Sequence, residues 1–155
     1  MKVREIMTSN VGCCGPRTNA AAIAEICWGK SCGVVPVVDE KNKLLGVVTD
    51  RDLFIALGSR NRRPSELMAE EVMSKDLATC SPDDDVKQAL ALMHARRVRR
   101  LPVVDKDRIV KGILSLHDVV MQAGSDDLPY AAVVKVMTGY RELAAPRPAL
   151  ATAQA

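Results

Sequence analysis

"GVVTDRDL", residues 46–53, and "GILSLHDV", residues 112–119, decide how this chain is read. Each has a glycine, a short apolar run, a hydroxyl residue, and a carboxylate three positions after the hydroxyl. In the first stretch these are Gly46, Thr49 and Asp52; in the second they are Gly112, Ser115 and Asp118. A run of Val, Ile and Leu suits a strand, and Ser or Thr with an acid three residues on suits the start of a helix. Both stretches therefore read as a strand running into a helix.

Working outward, a shift of 66 residues superposes the two stretches and their surroundings without a gap. Met7 falls on Met73, Cys14 on Cys80, Pro16 on Pro82, and "PVVD" at 36–39 on "PVVD" at 102–105. One register held from Met7 to Asp118 is an internal duplication. Each unit opens with "IMTSNVGCCGP" or "VMSKDLATCSP" and continues into a helix. Val86, Ala89, Leu90 and Met93 keep the spacing of a buried helix face; Ile23, Ile26 and Cys27 play that part in the first copy. The β-branched runs "VVPVV" and "LPVV" suit covered strands, and "DEKN" and "DKDR" read as turns into the returning strands. A helix closes each unit, with Gly58 and Gly124 as its expected stops. The unit is strand, helix, two-strand hairpin, helix. Its expected boundaries are 1–57 and 71–124, with a charged connector at 58–70, a packing helix at 125–143 and a flexible tail at 144–155. Two units covering each other's sheets explain the pairing.

Composition fits this α+β picture and narrows the function. At 155 residues the chain buries enough surface, roughly 70% of that exposed when unfolded, to need no staple. With four aromatic residues, the core must be Val, Leu, Ile, Ala and Met. No apolar run approaches the ~20 residues of a membrane helix, and "MKVREIMTSN" lacks a signal-peptide core, so a cytoplasmic protein is expected. Five cysteines (13, 14, 27, 32 and 80) form no CxxC pair, and His94 and His117 stand near none of them, so no metal is expected. A net charge of +3 does not argue for nucleic acid, although Arg60, Arg62, Arg63 and the run from Arg96 to Arg100 are local basic clusters. No nucleophile elbow or phosphate-binding loop is present, so catalysis is not expected.

The repeated hydroxyl and carboxylate admit two readings. One is a capping box, worth about 1 kcal/mol through its hydroxyl. The other is a ligand site: a helix N-terminus attracts anions, a hydroxyl can donate to phosphate, and a carboxylate can accept from both hydroxyls of a ribose. Gly46 or Gly112 would then let a ligand approach the strand.

The paired "MT/S … PVVD … G-x-x-T/S-x-x-D" pattern resembles a tandem CBS-domain protein, a Bateman module, over about residues 3–123. That resemblance implies two pseudo-symmetric β-α-β-β-α repeats and clefts between them for AMP, ADP, ATP or S-adenosylmethionine. It places phosphate contacts on Thr49 and Ser115, and ribose contacts on Asp52 and Asp118. Basic residues before the "LPVV" strand, here Arg99 and Arg100, would reach phosphate, which guanidinium pairs with well; a solvated helix end is the other reading. Gly33 and Val34 take those places in the first copy, where Arg51, the counterpart of His117, could compensate. Cys14 and Cys80 would line adenine pockets, or serve only as small buried residues. The implied function is regulation of a separate effector by an adenosyl ligand, through a homodimer. A structural module with empty clefts, and more remotely nucleic-acid binding, stand as alternatives.

Overall fold

A computed structural model describes residues 1–124, 128 and 130–142. Helix α1 (Ala20–Gly29) leads to the hairpin β1 (Val34–Val38) and β2 (Leu44–Thr49), then to α2 (Asp50–Arg60). The short helix α3 (Ala69–Val72) precedes the second copy: α4 (Val86–Arg96), β3 (Arg100–Val104), β4 (Val110–Ser115) and α5 (Leu116–Met121). Helix α6 (Tyr130–Glu142) follows. Among the described residues no helix is long and apolar enough to cross a membrane.

The duplication extends into backbone detail. Both hairpins are antiparallel, and both shift register at the same place, between Val37 and Val38 and between Val103 and Val104. Ser31 and Asn42 have positive φ (48° and 61°), and so do their counterparts Arg97 and Arg108 (56° and 65°). The helices start on side-chain caps: Asn19 accepts from the backbone of Ala22, and Asp85 from that of Lys87.

The opening strand of each unit is reduced to one parallel bridge, Cys14 to Val37 and Cys80 to Val103. The lead-in segments instead cross between the repeats. Thr8 bridges Ile113 of β4, and Ser74 bridges Val47 of β2, each through a reciprocal pair of backbone hydrogen bonds of 2.9–3.1 Å. Each repeat thus completes the other's sheet. This crossing explains Gly46 and Gly112. A Cβ on Gly112 would stand 2.4 Å from the Thr8 carbonyl oxygen, and one on Gly46 would stand 2.6 Å from the Met73 sulfur and 2.9 Å from the Ser74 carbonyl oxygen. The close approach expected of a ligand is made by the chain itself.

Two main cores follow. One gathers Ile23, Val35, Val37, Val48 and Leu53; the other gathers Val86, Leu90, Met93, Leu101, Val103 and Leu114. A small third cluster, Leu44, Val104 and Val110, joins the hairpins. Two expectations change. Gly58 does not stop α2, which runs on to Arg60 and ends at the left-handed Asn61. The connector 58–70 is not merely a linker, because Leu67 and Ala69 are fully buried in the first core. Residues 125–127, 129 and 143–155, including the expected tail, lie outside the described residues. Helix α6 packs against α4, with Leu128 and Val133 buried in the second core.

Candidate functional site

Where α5 begins, Ser115 and Asp118 form a complete capping box. The Asp118 backbone N–H donates to Ser115 Oγ (3.2 Å), while the Ser115 backbone N–H and hydroxyl both donate to Asp118 Oδ2 (2.8 and 2.6 Å). Thr49 and Asp52 repeat this at α2, at 3.1, 3.0 and 2.7 Å. The hydroxyl proton is thus already committed to the neighbouring carboxylate. The expected donation from Ser115 or Thr49 to a phosphate would require that bond to break. Asp118 Oδ1 takes no hydrogen bond among the described residues, so one carboxylate oxygen stays open to accept.

The two boxes differ in what surrounds them. The second opens into a cleft of about 680 Å³, inside the range usual for small-molecule sites. Its walls come from both repeats. Thr8, Asn10 and Gly12 belong to the crossing lead-in; Lys30 to Val34 belong to the turn after α1; Arg99, Arg100, Ser115, His117 and Asp118 belong to the second repeat. Arg99 is held to the box through its backbone, since its carbonyl oxygen accepts from the Leu116 N–H at 2.8 Å. Arg100 reaches across to the first repeat. A Cβ on Gly33 would lie 3.1 Å from Arg100 Nη2 and 2.9 Å from Asp50 Oδ2, so a side chain there would push these two groups aside. Arg99, Arg100 and Lys30 make no ion pair among the described residues, which leaves three cations facing the cleft.

Of the residues expected from sequence, Arg99, Arg100, Ser115 and Asp118 come together here. Thr49, Asp52 and Arg51 do not line this cleft, nor a second, more open one of about 1070 Å³ bounded by Cys13–Thr18 and Val38–Lys43. Cys14 lines only that second cleft, and Cys80 neither; both are buried in the cores. Burial pushes their thiols up, to about 11 and about 12. Lys30, Ser31 and Asn10 were missed. Their only signal is position: Lys30 precedes by three residues the glycine that matches Arg99.

The other basic clusters are partly occupied elsewhere. Arg62 pairs with Glu71 at 2.5 Å, and Arg96 with Asp76 at 2.5 Å. The Arg62 hydrogen bond and the Met68 backbone N–H hold the Glu71 carboxyl below its usual range. These contacts reduce the surface left for a nucleic acid.

The family model of the CBS domain matches twice, at residues 3–59 and 69–123. The chain belongs to the CBS-domain family. It is 32% identical over 120 residues to protein MK0525 of Methanopyrus kandleri, covering 77% of this chain and 61% of that one. It is 31% identical over 119 residues to inosine-5′-monophosphate dehydrogenase of Methanocaldococcus jannaschii, where the match spans 77% of this chain but 23% of the enzyme. The CBS domain pair of protein MJ0100, solved in complex with 5′-methylthioadenosine and S-adenosyl-L-methionine, superposes with a TM-score of 0.72 at 26% identity, over 78% of this chain and 94% of that one. This CBS pair thus shares its fold with a protein that holds adenosyl ligands, and with a segment of an enzyme.

Proposed function

We propose that this CBS pair is a regulatory module that binds a phosphorylated adenosyl ligand, AMP, ADP or ATP, in the cleft around Ser115 and Asp118. The observation that carries the reading is the convergence of Lys30, Arg99 and Arg100 from two repeats beside a carboxylate with one open oxygen. Three cations favour an anionic ligand, and Asp118 Oδ1 offers an acceptor for a ribose hydroxyl. S-adenosylmethionine carries a sulfonium cation and suits the charge less well. The binding of 5′-methylthioadenosine and S-adenosylmethionine by the MJ0100 pair supports the adenosyl part of the reading. In this reading the chain performs no catalysis and signals to an effector in the cytoplasm.

The module acts as a homodimer. Trp28 on α1 and Phe54 on α2 are 88% and 79% exposed, and α6 packs on α4. A second copy would cover these side chains.

Replacing Arg99 and Arg100 together by alanine tests the ligand. Titration calorimetry should show ATP and AMP weakened by roughly a hundredfold or more, since hydrogen bonds to charged groups contribute about 1.5–3 kcal/mol each. Adenosine should bind the variant as it binds the unsubstituted protein. Equal losses for nucleotide and nucleoside would refute the phosphate role, and no binding of any adenosyl compound would refute the function.

A further inference from the structure

The end of α1 closes in a Schellman turn whose two facing positions are both cysteines. Ser31 takes the left-handed conformation, its N–H donates to the Trp28 carbonyl at 3.2 Å, and the Cys32 N–H donates to the Cys27 carbonyl at 3.0 Å. In such a turn the residue after the left-handed one folds back over the residue five positions before it, and the two side chains commonly meet. The second repeat builds the same turn after α4. Arg97 is left-handed there, and the Val98 N–H donates to the Met93 carbonyl at 3.0 Å. Met93 and Val98 pack in the second core. The shift of 66 residues maps them onto Cys27 and Cys32. The first repeat keeps the turn but puts two thiols where the second has an apolar contact.

We propose that Cys27 and Cys32 form an oxidisable dithiol, a modification site that hydrogen peroxide converts to an intramolecular disulfide at the rim of the cleft. Both residues are only partly buried, unlike Cys14 and Cys80. Cys32 lines the cleft between Ser31 and Gly33, so a small oxidant reaches it from there. The Cys32 thiolate attacks one peroxide oxygen, the O–O bond breaks, and the departing oxygen takes up a proton and leaves as water. The resulting Cys32 sulfenic acid is then attacked by Cys27 as its proton is lost. The S–S bond forms, the S–O bond breaks, and a second water leaves. The two sulfurs lose two electrons and the peroxide gains them. The order follows the surroundings: Cys32 lines the cleft where the oxidant arrives, and Cys27, whose thiol burial, the neighbouring Cys32 and the charge of Asp50 push up to about 11, does not.

Trypsin cleaves after Lys30, between the two cysteines, and so provides the test. The full chain is treated with stoichiometric hydrogen peroxide, alkylated, and digested without reductant. The expected product joins peptide 18–30 to peptide 31–41, two hydrogens lighter than their sum and separated by reductant, from protein that migrates as a single chain on a non-reducing gel. Cys27→Ser should abolish the cross-link and leave a Cys32 sulfenic acid that dimedone traps; Cys32→Ser should abolish both. Recovery of both peptides as alkylated thiols would overturn the proposal, and so would cross-links from either to Cys13, Cys14 or Cys80. Should the serine variants fail to fold, Cys27→Met with Cys32→Val, the pair used by the second repeat, serves as the folded control without the cross-link.

Discussion

Asp52→Asn and Asp118→Asn are the same substitution in the same capping box, and only one of the boxes faces the cleft. In each, the amide oxygen can take over from Oδ2 and still accept from the backbone N–H and the hydroxyl. The apo protein loses the charge assistance of two short hydrogen bonds (2.8 and 2.6 Å at Asp118, 3.0 and 2.7 Å at Asp52) and a charge at the helix start. Helix-terminal charges contribute about 0.3–1 kcal/mol, and weaker acceptors add a similar amount, so about 1 kcal/mol is the expected cost at either site. For a domain of this size that lowers the melting point by roughly 2–4 °C. The ligand response should separate the two. Asparagine puts an amide donor where Asp118 Oδ1 stands open, so a ribose hydroxyl loses its charged acceptor at about 1.5–3 kcal/mol per bond. Unsubstituted protein at a hundredfold excess of ATP over its dissociation constant gains about 2.7 kcal/mol, several degrees of melting point. Asp118→Asn should lose most of that gain, and Asp52→Asn should keep it. Differential scanning fluorimetry with and without ATP reads both effects. Equal loss of the ligand shift in the two variants would refute the placement of the site, and an unchanged shift in Asp118→Asn would refute the role of the carboxylate.

Gly112→Ala should destabilise the fold by roughly 1–3 kcal/mol, because the added methyl meets a backbone oxygen at 2.4 Å; Gly46→Ala should cost less, its nearest neighbour being a flexible methionine, and urea denaturation orders the two. Light scattering should give a dimer mass for the unsubstituted chain and a monomer for Phe54→Asp, with little change in melting because Phe54 is exposed within the chain; a monomer from the start refutes the dimer. Cys14 and Cys80 stay protonated in the fold up to about pH 11–12, whereas an unfolded chain loses those protons near the ordinary value of 9.0. The unfolded state then binds fewer protons, so their contribution is constant below about pH 9 and stability falls as pH rises above it. Denaturation midpoints from pH 7 to 11 check this, and a flat profile would contradict it.

The repeat, the hairpins and the caps were legible in the sequence because each depends on local pattern: β-branched runs, turn residues, and a hydroxyl with its acid three residues later. The crossing of the lead-in segments was not legible. Met7–Thr8 and Met73–Ser74 look alike, and no local rule states that each should pair with the other repeat's strand. Gly46 and Gly112 were therefore assigned to a ligand when backbone already fills the space before them. Leu67 was hidden for a related reason, since one apolar residue in a charged stretch has no period to reveal that it is fully buried.

The same crossing explains why one cleft, and not two alike, collects the charge. Duplication copies the capping box faithfully, but the walls of the cleft at Ser115 come from both repeats, so the residues leading into both hairpins shape it. In the second repeat "RVRR" ends with two guanidinium groups; in the first, "SCGV" supplies a glycine under the Arg100 guanidinium and no charge of its own. Small residues in one copy make room for large basic ones in the other. Gly33 and Arg100 are thus complementary across the pseudo-symmetry, and the asymmetry that looks like loss in the first repeat is what admits the charge to the cleft of the second. An arginine at position 33 would set its guanidinium beside that of Arg100, and so oppose like charges at close range.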